Sequence, residues 1–143
     1  MIDQSIAIEH LREIVSKSIS SAFHASIVVG GSGNKEAVVI LQENHEIENG
    51  KDYYSTGDRT NKIIAIEAPR WLRDMPALQH LRLKVPDGKG DFHEVQLDRD
   101  RVEQYLGGSL EVYRNDADKW REEFLSKYDN KESRAKFVET FCL

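Results

Sequence analysis

The chain has 143 residues, with 25 acidic against 20 basic, giving a formal charge of −5 and a pI near 5.5. That length favours one domain burying about two-thirds of its unfolded surface, and the charge excludes a general nucleic-acid binder, which carries a concentrated basic face. One cysteine, Cys142, excludes an internal disulfide framework or cysteine-based zinc site, no apolar run approaches the ~20 residues of a membrane span, and no cationic-then-apolar leader marks a secretory signal.

Residues 3 to 23 carry the first helical signal. Ile8, Leu11, Val15, Ile19 and Ala22 fall on one stripe, with Glu9, Arg12, Glu13 and Lys17 on the polar face. Asp3 and Ser5 are the candidate caps. Four serines (Ser16, Ser18, Ser20 and Ser21) weaken the last turns, because hydroxyls compete for the backbone. The period then changes. Ile27-Val28-Val29, the turn cluster from Gly30 to Asn34, and the apolar run from Ala37 to Leu41 together predict a hairpin.

Residues 43 to 61 are polar, with Asn49-Gly50 as a turn signal and Tyr53-Tyr54 as short-strand candidates. Ile63 to Ile66 reads as another strand closed by Pro69, and Arg70 to Met75 as one helical turn before Pro76. Leu81, Leu83 and Val85 alternate with polar residues, turn at Asp87-Gly88-Lys89-Gly90, and return through Phe92 to Leu97. Asp98 is placed to cap a helix over 99–106, which Gly107-Gly108 would end. Leu110 and Val112 predict a final strand. From Asn115 the tail is helical: Ala117, Trp120, Phe124 and Tyr128 share a stripe, and a break at Asp129-Asn130 precedes a second helix bearing Phe137, Val138 and Phe141. The fold class expected is α+β, with six or seven strands. A small antiparallel sheet or barrel carries the N-terminal and C-terminal helices, in a single domain over 1–143 (helix plus β-core at 1–114, helical tail at 115–143).

No motif points to chemistry. In Gly30-Gly31-Ser32-Gly33-Asn34-Lys35, Asn34 separates the glycine from the lysine and Glu36 stands where a phosphate loop needs Ser or Thr, so the segment is a hairpin turn. None of the five histidines forms a metal-ligand pair. Pairing Leu83 with Val95 and Leu81 with Leu97 puts His93 and His80 on opposite faces of the sheet. No nucleophile elbow occurs, and Cys142 is penultimate, where chain ends fray. No catalytic residue, cofactor or metal is therefore expected. The candidate protein-binding residues are the acidic loop (Glu43, Glu46, Glu48, Asp52 and Asp58, with Tyr53 and Tyr54) and Arg70-Trp71 with Arg73, since aromatic and Arg side chains anchor interfaces. The bland alternative for Trp71 is that, with Leu72, it plugs one end of the sheet. The aromatic C-terminal helix either covers the sheet or docks on a neighbouring copy.

The order of elements resembles the small head–tail joining (neck) proteins of lambda-like tailed phages. The likeness lies in the helix ending at Ser20-Ser21-Ala22-Phe23, the hairpin "ASIVVGGSGNKEAVVILQE", and the polar loop after Glu43. It continues through the strand "KIIAIEA" and the hairpin "LRLKVPDGKGDFHEVQL" leading to "GGSLEVYR", covering about residues 1 to 114. The resemblance implies a β-barrel-like sheet and a structural, non-enzymatic role: oligomerising as a ring and binding portal or tail proteins. It also implies residence in the bacterial cytoplasm or the virion; the acidic balance and the lack of a long apolar run add the expectation of no direct nucleic-acid binding and no membrane contact. The other expectation is a small acidic immunity or inhibitor protein that neutralises a basic toxin or nuclease, steered by the 43–58 carboxylates.

Overall fold

In a computed structural model of the chain, the structure describes residues 7–19, 23–31, 33, 35–43, 58–86 and 91–143. The fold is α+β: a four-stranded mixed sheet, helices packed on one of its faces, and no closure into a barrel. Helix α1 (Ile8–Ser18) leads into strands β1 (Phe23–Gly30) and β2 (Glu36–Glu43). A long helix, α2 (58–74), then crosses over to β3 (His80–Pro86) and β4 (Phe92–Asp98). Helix α3 (Arg99–Leu106), a 3-10 turn (Leu110–Tyr113), helix α4 (117–128) and helix α5 (Lys131–Phe141) complete the chain.

The two expected hairpins are present, and the second has the expected register, Leu83 opposite Val95 and Leu81 opposite Leu97. They join in parallel, β2 against β3, so the sheet order is β1-β2-β3-β4. The parallel pair follows from the main correction to the sequence reading. Residues Ile63 to Ile66 are not a strand but the middle of α2, in a π-helical stretch (Ile63–Glu67). Four consecutive buried apolar residues look alike in a buried strand and a buried helix. Pro69, read above as a strand terminator, lies inside this helix. Proline has no N–H to donate and its ring crowds the carbonyl four residues back, so the preceding turn widens and the Ala68 N–H bonds the Ile63 carbonyl, five residues away. A helix of this length is the connection that parallel strands require.

Two further expectations change. Leu110 to Val112 is a 3-10 turn rather than a strand: the Ser109 hydroxyl accepts the Glu111 N–H, and Glu103 accepts the Leu110 N–H at 2.7 Å. The N-cap of α1 is Ala7, without a side-chain bond; Asp3 and Ser5 lie outside the described residues, as do Asn49-Gly50, Tyr53-Tyr54 and the 87–90 turn. At its other end, α1 stops at Ser18, whose hydroxyl bonds back to the Val15 carbonyl at 3.1 Å, the competition expected of its serines. Helix α3 matches its expected span. Gly107 takes φ 81°, and Gly107 and Gly108 return bonds to Gln104 and Glu103 in a Schellman motif.

The core lies between the sheet and the helical layer. Ala37, Val39 and Leu41 of β2, Leu81, Leu83 and Val85 of β3, and Val95 and Leu97 of β4 are buried against Leu11 and Val15 of α1 and Ile64, Trp71 and Leu72 of α2. The Arg99 guanidinium clamps the C-terminal end of α2, donating to the carbonyls of Met75 (2.9 Å), Leu78 (3.0 Å) and Leu72. A cation is stabilising there, where the helix dipole is negative and carbonyls lack helical partners. Among the described residues no helix is long and apolar enough to cross a membrane.

Candidate functional site

Alternation along a strand sends side chains to opposite faces, and the helices cover only one face of this sheet. The other face presents cross-strand rows set by the registers. One row is Val28–Val38–Arg82–Gln96, the next is Ser26–Ile40–Lys84–Glu94, and Glu36–His80–Asp98 lies beyond. The face divides into two halves of different chemistry.

Its β3–β4 half is a polar ladder bonded to itself. His80 Nδ1 lies 2.8 Å from Asp98 Oδ1, which also accepts from Gln96 at 3.0 Å; Arg82 donates to Gln96 at 3.3 Å; and Lys84 Nζ sits 4.7 Å from the Phe92 ring centroid. Partial burial pulls the Asp98 carboxyl upward, but hydrogen bonds from His80 and Gln96 and the charges of His80 and Arg101 outweigh it and hold it below its ordinary value. Asp98 therefore spends its carboxylate on this ladder rather than on capping α3, as the sequence suggested.

The β1–β2 half carries an apolar strip, flanked by Ser26, His24, Gln42 and Glu36. Val28 is 65 % exposed and Val38 36 % exposed, with Ile40 half-buried beside them. The strip ends at β1, whose outer edge pairs with nothing among the described residues. On the core side of the same edge the helical layer falls short: Ala25 is exposed, and Ile27 and Val29 are only half-buried. A groove of about 430 Å³ runs there between α1 and β1, lined by Arg12, Ser16, Ile19, Ala25 and Ile27 among others. The opposite edge, on β4, differs. Cys142 bridges to Val95, the Leu143 N–H bonds the Glu94 carbonyl at 2.9 Å, and α5 packs alongside.

The residues singled out in the sequence fall elsewhere. Glu46, Glu48, Asp52, Tyr53 and Tyr54 lie outside the described residues; Glu43 closes β2 and Asp58 opens α2. Trp71 is fully buried and its indole N–H donates to the Ser18 hydroxyl, tying α2 to α1. Arg70 and Arg73 both face the ring of Trp120 on α4, at 5.9 and 4.6 Å from its centroid, and Arg73 holds Asp74 through two bonds of 2.7 and 2.9 Å. Trp120 stacks on Phe124 at 4.0 Å, and both are buried. The two guanidiniums thus bind α4 to α2 within one chain, and the aromatic helix covers its own core. Burial pushes the Glu67 carboxyl up at this junction, against the opposing charges of Arg70 and Lys62.

A second concavity of about 430 Å³ beside α1 and α2 is lined by His10, Lys17, Arg70, Asp74 and Arg114, but Lys17 and Arg70 already pair with Glu13 (3.0 Å) and Glu67 (3.3 Å). Among the described residues no three His, Cys, Asp or Glu side chains converge to hold a metal ion. The sheet's uncovered face went unread because the sequence gives strands but not which face the helices take. Its signal was present: Ile27-Val28-Val29 and Ala37 to Leu41 are apolar at consecutive positions, so each strand must put apolar groups on both faces. No family model, curated protein or solved structure matches the chain.

Proposed function

We propose that this chain is a non-enzymatic assembly protein that binds other proteins through the uncovered β1–β2 half of its sheet. The observation that carries the reading is the exposed apolar strip of Val28, Val38 and Ile40, running to a strand edge that pairs with no other strand among the described residues. An apolar centre bordered by polar groups is the usual anatomy of a protein interface, and here Arg82, Lys84 and Gln96 form the border. The narrower form of the proposal is a phage head–tail joining component that oligomerises and meets portal or tail proteins. Its support is the N-terminal helix and the two hairpins; the helical course of "KIIAIEA", the 3-10 turn within "GGSLEVYR" and the open sheet depart from the barrel it implies. The acidic-inhibitor reading rests mainly on residues 44–57, outside the described region, and no described feature favours it.

The test is site-specific photo-cross-linking in the native host. A cross-linker at Val28 is expected to yield discrete protein adducts, and one at Glu139, exposed on α5, none. No adduct from Val28, or equal adducts from both sites, would overturn the reading.

A further inference from the structure

We infer that β1 pairs antiparallel with β1 of a second copy of this chain, with Ile27 on the two-fold axis, to form a continuous eight-stranded sheet. This deepens the assembly reading and rests on it, naming the partner at one edge.

Exposed strand edges invite pairing with another chain, and folded proteins normally blunt them with charge, proline, bulges or short length. Strand β1 has none of these. It is eight residues long, carries no Asp, Glu, Lys, Arg or Pro, and pairs with β2 through eight unbroken positions. The opposite edge, at β4, is occupied by the chain's own Cys142 and Leu143.

Symmetry then selects the register. An antiparallel edge-to-edge pair has its two-fold axis perpendicular to the sheet, so each face must continue into the same face of the copy. That places a residue, not a gap, on the axis. With Ile27 there, Ala25 of one chain meets Val29 of the other on the core side. Ser26 meets Val28 on the open side. The rows Val38–Val28 and Ile40–Ser26 then join across the axis, so that the Val28, Val38 and Ile40 side chains of both copies form one apolar surface interrupted by the two Ser26 hydroxyls. No charged side chain of β1 stands opposite its own copy. The α1–β1 groove is closed by the neighbour's β1 and α1, covering Ala25 and Ile27. The β-branched Ile27 pair at the axis is of the kind that stabilises adjacent strands.

The area fits a reversible dimer. With Ile27 on the axis, residues 24 to 30 of β1 face their copies; seven residues at ~3.4 Å each give an edge ~24 Å long, and one sheet plus one helical layer is ~20 Å deep. About 480 Å² per chain, or ~960 Å² in total, lies below the range of stable specific interfaces. The dimer is therefore expected to dissociate in the micromolar range.

The experiment has two arms. Sedimentation equilibrium of the whole chain from about 1 to about 500 µM, bracketing micromolar affinity, is expected to show monomer passing to dimer, and Ile27→Lys to abolish dimer while circular dichroism stays native. In a Cys142→Ser background, Ile27→Cys is expected to form a covalent dimer with oxidised glutathione as oxidant, because directly opposed Cα atoms lie ~5 Å apart, within disulfide reach. Ala25→Cys and Val29→Cys should not, since each would sit ~14 Å from its own copy. A chain monomeric throughout, or a dimer in which Ile27→Cys cross-links no better than Val29→Cys, overturns the inference. A monomer that still forms adducts from Val28 leaves the assembly reading standing, and one that forms none overturns both.

Discussion

Val28 on the edge strand and Val39 on its neighbour belong to one hairpin and occupy opposite faces, so truncating each to alanine tests whether only one face is covered. Val39 is fully buried. Val39→Ala removes two methyl groups' worth of transfer energy at ~0.8 kcal/mol each and leaves a cavity worth ~1 kcal/mol, for a cost of ~2.5 kcal/mol. Val28 is 65 % exposed; only about a third of its transfer energy is realised and no cavity forms, so Val28→Ala costs ~0.5 kcal/mol. In a domain of this size those figures correspond to falls in Tm of ~10 °C and ~2 °C. Urea titration followed by circular dichroism, at a concentration low enough to keep the chain monomeric, reads both. Equal losses at the two positions would refute the reasoning, because the face bearing Val28 would then be covered.

Three other substitutions test contacts described above. Arg99→Lys leaves a single ammonium where a guanidinium served three carbonyls at the end of α2, and should cost ~2 kcal/mol in urea titration; no loss would mean the clamp is idle. Asp98 has a depressed pKa in the folded chain, so its stabilisation is present above the ordinary carboxylate range and is lost as pH falls through the depressed value. Asp98→Asn should therefore cost ~0.5 kcal/mol at neutral pH, solvent screening keeping the figure small, and nothing in strong acid. Glu67 has the opposite sign: burial raises its pKa, so its charge costs stability above that value and the cost disappears as pH falls through it. Glu67→Gln should accordingly be the more stable form at neutral pH in thermal melts, with the advantage shrinking on acidification; a constant difference would exclude Glu67 as its source.

Where the sequence carried two independent signals, the structure followed it. Leu81, Leu83 and Val85 alternate and are followed by a turn-rich segment and a second alternating run, so faces and register were both legible, down to His80 and His93 on opposite sides. Asp129-Asn130 marks a real boundary because Asn130 accepts the Ser133 N–H at 2.9 Å to start α5. The main failure comes from a short apolar run without a period, whereas Leu110 and Val112 do alternate and still form a 3-10 turn, held by bonds to Ser109 and Glu103. Ile63 to Ile66 is buried throughout, with α5 packed on it, so no polar face betrayed a helix, and the π-stretch absorbs the proline that would otherwise have argued for a break. Once that segment is a helix, β2 and β3 become parallel and the sheet stays open. The candidate site was half legible: Arg70 and Arg73 do meet an aromatic ring, but it belongs to Trp120 of the same chain, a contact between residues about 50 positions apart in the sequence that no local pattern encodes.

Amide hydrogen exchange, followed residue by residue in dilute and in concentrated solution, tests whether the β1 side of the sheet is the assembly surface. The expected result is that outward-pointing amides between His24 and Gly30 of β1 slow as concentration rises, while β4, already paired with Cys142 and Leu143, is unchanged. Exchange along β1 that is equally fast at both concentrations, or slowing confined to the helical face, would contradict it.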